Sequence, residues 1–114
     1  MKKFDYLTDG GHGWTKVPVR LLIDLDIADK VSHYSYYRAG FGYLEEDCDT
    51  ALFFDAYNKK FGFDPILRER IARERRSRIR NYDRYNKAQH ILKKLLLSKP
   101  AALRINAAAD IVGA

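Results

Sequence analysis

A change of hydrophobic period at Pro18 most strongly constrains the fold of this chain. Residues 14–18 (Trp-Thr-Lys-Val-Pro) alternate with a period of two, which predicts a short strand ending at Pro18. Beyond it, apolar residues recur at three- and four-residue spacing and predict a two-turn helix; they are Leu21, Leu22, Leu25 and Ile27. Proline suits the first turn of a helix because its φ is already fixed there. We therefore expect a strand that leads directly into a short helix ending near residues 26–29.

Turn signals bracket this strand and helix. Residues 9–13 (Asp-Gly-Gly-His-Gly) predict a turn that places Trp14 in the core, although bare glycine amides can also bind anions. Residues 31–38 alternate and are rich in tyrosine, which predicts a second strand. Residues 39–42 (Ala-Gly-Phe-Gly) then predict a hairpin turn, with residues 43–45 as the returning strand.

Four helices are predicted in the remainder of the chain. Apolar residues from Ala51 to Phe61 follow helical spacing, with Asp47 or Asp49 as the N-cap and Gly62 as the end. Asp64-Pro65 is a second start, so the next stretch is expected to be helical from about 65 to 80, with a strand over 63–67 as the alternative. An amphipathic helix over 85–96 and a last helix after Pro100 complete the pattern.

These patterns predict the fold class and the domain organisation. We expect an α+β fold with a small antiparallel β-sheet, in which residues 1–64 form a β-α-β-β-α core. Residues 65–114 form a helical, basic C-terminal part that packs on the core as one domain. The length of 114 residues suits one such domain.

Composition excludes several classes of protein. A single cysteine, Cys48, rules out a disulfide framework and a multi-cysteine zinc site. No apolar run approaches the ~20 residues of a membrane span. Asp5 and Asp9 lie where a signal peptide needs an apolar stretch. We therefore expect a soluble cytoplasmic protein without a membrane partner.

The charge is concentrated in the second half of the chain. Residues 1–63 hold 8 Lys and Arg against 10 Asp and Glu, whereas residues 64–114 hold 13 against 5. Arginine presents a planar fork of donors that fits phosphate and carboxylate, so the sequence predicts a polyanionic partner. The candidate binding residues are Arg73, Arg75, Arg76, Arg78, Arg80, Arg84 and Lys87. On a helix, Arg73, Arg76, Arg80 and Arg84 would line one stripe along a phosphate backbone or an acidic groove. The alternative is a solvated helical face.

Aromatic residues cluster on the predicted hairpin beside Arg38. They are Tyr34, Tyr36, Tyr37, Phe41 and Tyr43. Aromatic side chains on a sheet next to basic residues can stack unpaired bases, while half-buried strands also favour them for packing. Tyr36 and Arg38 are therefore secondary binding candidates.

The segment from Trp14 to Leu44 resembles the AbrB/MazE swapped-hairpin half-domain. The resemblance rests on Trp14-Thr15-Lys16-Val17-Pro18, Leu25-Asp26-Ile27, Asp29-Lys30-Val31 and the hairpin that follows. Asp26 stands where that family usually has glycine, and Ala28 stands where its turn often does. The resemblance implies a homodimer of interlocked hairpins that binds DNA, with Lys16 and Arg20 as the positional candidates.

Longer strings resemble a family of small uncharacterised proteins carried by phages and plasmids. They are His12-Gly13-Trp14, Tyr34-Ser35-Tyr36, the run Tyr43–Asp49 (YLEEDCD) and the run Ile79–Tyr85 (IRNYDRY). Small mobile-element proteins include DNA-binding regulators and inhibitors of host defence, among them anti-CRISPR proteins. This resemblance implies a regulator or an inhibitor and no particular mechanism.

No residue set has catalytic or metal-binding spacing. His12, His33 and His90 lie far apart, and the acidic run from Glu45 to Asp49 lacks the spacing of a calcium loop. We expect no enzyme activity, no cofactor and no metal. The expected function is a small mobile-element protein that engages the phosphate backbone of nucleic acid, and it could be a DNA-binding regulator. The alternative is an anti-defence inhibitor that binds an acidic protein surface or a ribonucleoprotein.

Overall fold

The computed structural model describes residues 3–71 and 78–89, which form a small α+β fold. Their regular elements are β1 (Lys3–Thr8), β2 (Gly13–Pro18), α1 (Val19–Asp24), β3 (Tyr36–Arg38), β4 (Phe41–Glu45), α2 (Asp49–Phe61), β5 (Ile66–Ile71), a 3₁₀ helix (Arg78–Asn81) and β6 (Asp83–Arg84). The strands form one sheet in the order β5-β1-β2-β4-β3-β6. β1 and β5 pair in parallel, and the other neighbours pair antiparallel.

Helices α1 and α2 cover one face of the sheet, which we call the inner face. Val17 of β2 and Leu44 of β4 are fully buried there against Leu22 of α1 and Phe53 of α2. The ring of Phe4 meets that of Phe53 edge to face, with centroids 5.2 Å apart. This apolar packing fixes both helices on the sheet.

The opposite side of the sheet, the outer face, carries a smaller core. Because side chains alternate along a strand, Trp14 and Tyr43 point away from the helices. They are buried with Tyr36 and with Ile79 of the 3₁₀ helix. The 3₁₀ helix therefore lies on the outer face. None of the helices within residues 3–71 and 78–89 has the length and hydrophobicity of a membrane span.

The fold class, the strand–helix switch and the hairpin are confirmed. β2 ends at Pro18 and α1 begins at Val19, as the change of period predicts. The hairpin turns at Ala39 and Gly40, which both have positive φ angles, of 51° and 86°. Gly62 ends α2 with a left-handed φ of 82°.

The prediction of a helix from about 65 to 80 is wrong over residues 66–71, which form strand β5. This strand pairs with β1 over its whole length, from Lys3 opposite Ile66 to Thr8 opposite Ile71. The sequence pattern did not identify β1, so the partner that holds β5 extended was missing from the prediction. The alternative strand over 63–67 is closer, although β5 begins later and ends later.

The boundaries of β3 and α2 also differ from the prediction, and the hydrogen bonds of Asp49 explain both differences. The strand predicted over 31–38 is reduced to β3, and the N-cap of α2 is Cys48 rather than Asp47 or Asp49. Asp49 is buried and accepts hydrogen bonds from the Ser32 N–H at 3.1 Å, the Ser32 hydroxyl at 2.6 Å and the Ser35 hydroxyl. Because residues 32–35 bend around this carboxylate, they cannot continue the strand.

The helices predicted over 85–96 and after Pro100 lie largely outside the described residues. Residues 87–89 are helical, while Asp83 and Arg84 form strand β6 beside β3.

Candidate nucleic-acid interface

On the outer face, aromatic rings lie beneath the cations of Lys16, Arg38 and Arg84. The Lys16 ammonium is 4.3 Å from the Phe41 ring centroid. The Arg38 guanidinium is 4.9 Å from that of Tyr82. The Arg84 guanidinium is 4.5 Å from that of Tyr36. These three cations come from β2, β3 and β6, so the sheet assembles a surface from separate parts of the chain.

The register of the sheet explains why these residues share a face. Residues directly opposite each other on paired strands point to the same side. Lys16 lies opposite Tyr43, and Tyr43 lies opposite Tyr36. Tyr36 in turn lies opposite Arg84. This row of paired residues across four strands therefore places two cations and two buried tyrosines side by side on the outer face.

Stacking positions the charged groups without neutralising them. A cation over an aromatic ring gains about 0.5–1 kcal/mol at an exposed site, and the ring limits the side chain's freedom. Arg38 and Arg84 are exposed, and Lys16 is partly exposed. Arg84 also donates long hydrogen bonds of 3.4 Å to the carbonyls of His33 and Tyr34. The three side chains are thus held near the surface, where their N–H groups can donate hydrogen bonds to a ligand.

Arg80 has a different environment because it forms an ion pair within the fold. Its Nε donates to Asp9 Oδ2 at 2.9 Å, and its guanidinium lies 5.2 Å from the Trp14 ring centroid. The hydrogen bond to Asp9 keeps the pKa of Arg80 above its usual value. This contact ties the 3₁₀ helix to the turn over residues 9–13.

The β1–β5 edge adds two more arginines to the outer face. Arg68 Nη2 and Arg70 Nε lie 2.8 and 3.2 Å from the same Asp5 oxygen. Burial acts to raise the pKa of Asp5, but the hydrogen bonds and charges of both arginines outweigh it and hold that pKa below its usual value. One carboxylate therefore faces two guanidiniums, which leaves this edge positive.

A cavity of about 370 Å³ opens beside these cations, and we call it the outer cavity. The rings of Trp14 and Tyr36 line its buried part, with centroids 6.3 Å apart, while Tyr34 is 58% exposed. It combines positive and negative groups, since Arg80, Arg84, Glu45 and Asp47 all line it. His12 and Cys48 complete the lining.

The structure brings some of the predicted binding residues together and separates others. Lys16, Tyr36, Arg38 and Arg84 share the outer face with Arg80. Arg20 is exposed on α1 and lines a different crevice, beside Phe4 and Tyr57. Arg78 is exposed in the 3₁₀ helix, and Lys87 is exposed in the helical residues 87–89. Arg73, Arg75 and Arg76 lie outside the described residues.

The predicted helical stripe is wrong where the structure describes it. Arg80 belongs to a 3₁₀ helix and Arg84 to a strand, so the two do not follow one helix face. The tyrosine cluster is also divided, because Tyr36 and Tyr43 are buried, Tyr37 packs on the inner core and Tyr34 is exposed.

Sequence reasoning missed Arg68, Arg70 and Tyr82 as parts of this surface. The period-two run Arg68-Glu69-Arg70 places both arginines on one face if the segment is a strand, but the alternative strand that the sequence predicts ends at residue 67. The position of Tyr82 against the Tyr43 ring, with centroids 5.0 Å apart, depends on the path of the chain after the 3₁₀ helix.

Among the residues described, no group of three or more His, Cys, Asp and Glu side chains could hold a metal ion. Comparisons with family models, curated proteins and solved structures gave no match to this chain. The two resemblances noted in the sequence therefore stay predictions.

Proposed function

We propose that this protein binds the phosphate backbone of nucleic acid through its outer face, without catalysing a reaction. The observation that carries the proposal is the set of three stacked cations, Lys16, Arg38 and Arg84. Phosphate contacts are made mainly by lysine and arginine, and they position a protein on nucleic acid without reading its sequence.

The charge balance of the outer face supports the same proposal. Among the described residues, the outward-facing strand positions carry Lys3, Lys16, Arg38, Arg68, Arg70 and Arg84. Arg80 of the 3₁₀ helix lies over Trp14 on the same face. The carboxylates on the same strand faces are Asp5 and Glu45. Asp9 neutralises Arg80 and Asp5 offsets one of its two arginines, so Lys16, Arg38 and Arg84 are the strongest candidates for phosphate contact.

Salt dependence gives the proposal a quantitative test. Three phosphate contacts on a single strand predict a slope of about −2 in log K against log salt concentration. The measurement is fluorescence anisotropy with labelled single-stranded DNA, duplex DNA and RNA across a salt series. We expect measurable affinity at low salt and its loss as salt rises.

A matched pair of variants separates the outer face from net charge. The double variant Lys16→Glu, Arg38→Glu should weaken binding by at least about tenfold and flatten the salt slope by roughly 1.4. The control is Lys30→Glu, Lys59→Glu, two lysines that line the crevice between α1 and α2 on the other side of the sheet. It changes the net charge equally and should bind nearly as the parent does.

Two results would contradict the proposal. Equal losses in both double variants would mean that net charge, and not the outer face, drives binding. Absence of binding at low salt to all three probes would indicate that the same cations bind an acidic protein surface instead. A pull-down would then test for a protein partner.

A further inference from the structure

The outer cavity adjoins the proposed phosphate-binding surface and has the size of a small-molecule site. Its volume of about 370 Å³ lies within the range of ligand pockets, roughly 300–1,000 Å³. Trp14, which lines the cavity, lies two residues from Lys16 on the same face of β2. That separation is about 6.7 Å along a strand, so one ligand can reach both.

Tyr34 offers this cavity an exposed aromatic face. The residue is 58% exposed, whereas the nearby Tyr36 and Tyr43 are buried. The His33 ring lies 4.4 Å from it at an angle of 32°, and the Tyr34 N–H donates to the Ser32 hydroxyl at 3.2 Å. Arg84 Nη1 also donates a long hydrogen bond of 3.4 Å to the Tyr34 carbonyl. An exposed ring on a braced backbone is suited to stacking on an unpaired base.

One carboxylate of the cavity, that of Glu45, is held by two backbone hydrogen bonds. Glu45 accepts the backbone N–H groups of Asp47 at 3.0 Å and Cys48 at 3.1 Å, one at each oxygen. These bonds fix the loop before α2, which carries the exposed Asp47. An ionised carboxylate only accepts, so the complementary ligand edge must carry N–H donors.

Guanine has the base edge that fits this requirement best. Its Watson–Crick edge carries two adjacent N–H donors, which match the two oxygens of one carboxylate. Uracil and thymine present one N–H between two carbonyl oxygens, which a carboxylate repels. In a duplex the guanine donors are already paired, so the cavity would select an unpaired base.

We propose that the outer cavity receives one unpaired guanine, stacked on Tyr34 and hydrogen-bonded to Asp47, with its phosphate toward Arg84. This inference rests on the proposed function and deepens it, because it names the base and the strandedness of the ligand. The stacked cations then hold the backbone that continues from that nucleotide.

Base preference in an oligonucleotide tests the inference. Oligothymidines of about ten nucleotides, each with a central G, A, C or T, are compared by anisotropy. We expect the central G to bind about tenfold more tightly than T. Asp47→Asn should bring the ratio of G to T close to one, and Tyr34→Ala should weaken all four by at least fivefold. Both residues are exposed, and unchanged unfolding midpoints would show that both variants fold.

A second readout separates failure of the cavity from failure of the backbone surface. Trp14 is the single tryptophan and lines the cavity, so its fluorescence reports occupancy directly. GMP should quench it more than UMP does, and Asp47→Asn should remove the difference. Equal affinity for all four oligonucleotides, or a G preference that survives Asp47→Asn, would overturn the inference. GMP quenching without oligonucleotide binding would support the cavity and contradict the proposed function.

The backbone variant and the cavity variant should change different measured quantities, namely the overall affinity and the ratio of G to T affinity. Lys16→Glu, Arg38→Glu should weaken all four oligonucleotides while leaving the ratio of G to T unchanged, because neither residue lines the outer cavity. A collapse of that ratio in this variant would overturn the separation between backbone and base contacts.

Discussion

Arg80 pairs with Asp9 across 71 residues of sequence, and this contact joins the 3₁₀ helix to the glycine-rich turn. The Asp9 side chain is fully buried. Its Oδ1 also accepts the N–H groups of Gly11 at 3.1 Å and His12 at 3.0 Å. One carboxylate thus shapes the turn and holds the residue that packs over Trp14.

Arg80→Ala should strongly destabilise the protein, because it leaves the Asp9 carboxylate buried without its cation. Breaking a buried ion pair costs about 3 kcal/mol or more of unfolding free energy. Urea unfolding followed by Trp14 fluorescence measures the change. Arg20→Ala, an exposed arginine on α1, is the control and should stay within about 0.5 kcal/mol. If Arg80→Ala also stays within that limit, the ion pair does not hold the 3₁₀ helix in place.

Asp49→Ala should cost about 3 kcal/mol of unfolding free energy for a different reason. The substitution removes the acceptor for the Ser32 N–H and for the Ser32 and Ser35 hydroxyls, and buried unpaired donors carry their full desolvation penalty. The exposed Asp55, which pairs with Lys59 at 3.0 Å, provides the control, and Asp55→Ala should cost less than about 1 kcal/mol. If calorimetry or urea unfolding gave equal losses of unfolding free energy for Asp49→Ala and Asp55→Ala, the hydrogen bonds to Asp49 would not be stabilising the fold.

Ala39→Gly should stabilise the protein, against the usual effect of this substitution. Ala39 has a φ of 51°, and the left-handed region costs a residue with a Cβ about 1–2 kcal/mol. Glycine avoids that strain but has more entropy to lose, which leaves a gain of roughly 0.5–1 kcal/mol. Ala51→Gly in α2 is the matched control and should destabilise by about 1 kcal/mol. Thermal unfolding should therefore shift the two variants in opposite directions.

Alkaline pH should unfold the protein through three tyrosines. Burial raises the pKa of Tyr6, Tyr43 and Tyr85 to about 12, with a hydrogen bond to Glu46 adding to the effect at Tyr6 and the Tyr82 hydroxyl adding to it at Tyr43. The unfolded value is 10.0, so the folded state binds these protons more tightly. Their contribution to stability is complete below pH 10 and is lost as the pH rises toward 12.

Absorbance titration of tyrosinate, combined with circular dichroism, tests this pH dependence. Tyr85→Phe removes the hydroxyl that donates to the Ala28 carbonyl at 2.9 Å, and with it one of the three titrations. Its unfolding free energy should fall less between pH 10 and 12 than that of the parent. An identical fall in both proteins would show that Tyr85 does not contribute to the alkaline transition.

Local elements of the fold could be predicted because their causes lie within a few residues. The switch at Pro18, the hairpin turn at residues 39–40 and the end of α2 at Gly62 each depend on backbone preferences of nearby residues. The bend at residues 32–35 could not, because the carboxylate that causes it belongs to another element, α2. The strand β5 likewise needs β1 as a partner more than 60 residues away.

The candidate site likewise has some features that local sequence predicts and others that depend on contacts between distant segments. The amino-acid sequence shows that the chain is rich in arginine and that aromatic residues flank Arg38, and its local patterns predict the elements of an α+β fold. The three-dimensional fold is needed to show which arginines pair with carboxylates, as Arg80 does with Asp9, and which stack on rings near the surface, as Arg38 and Arg84 do. The reason is that burial and ion pairing depend on contacts between distant segments, which the sheet register sets and sequence spacing does not.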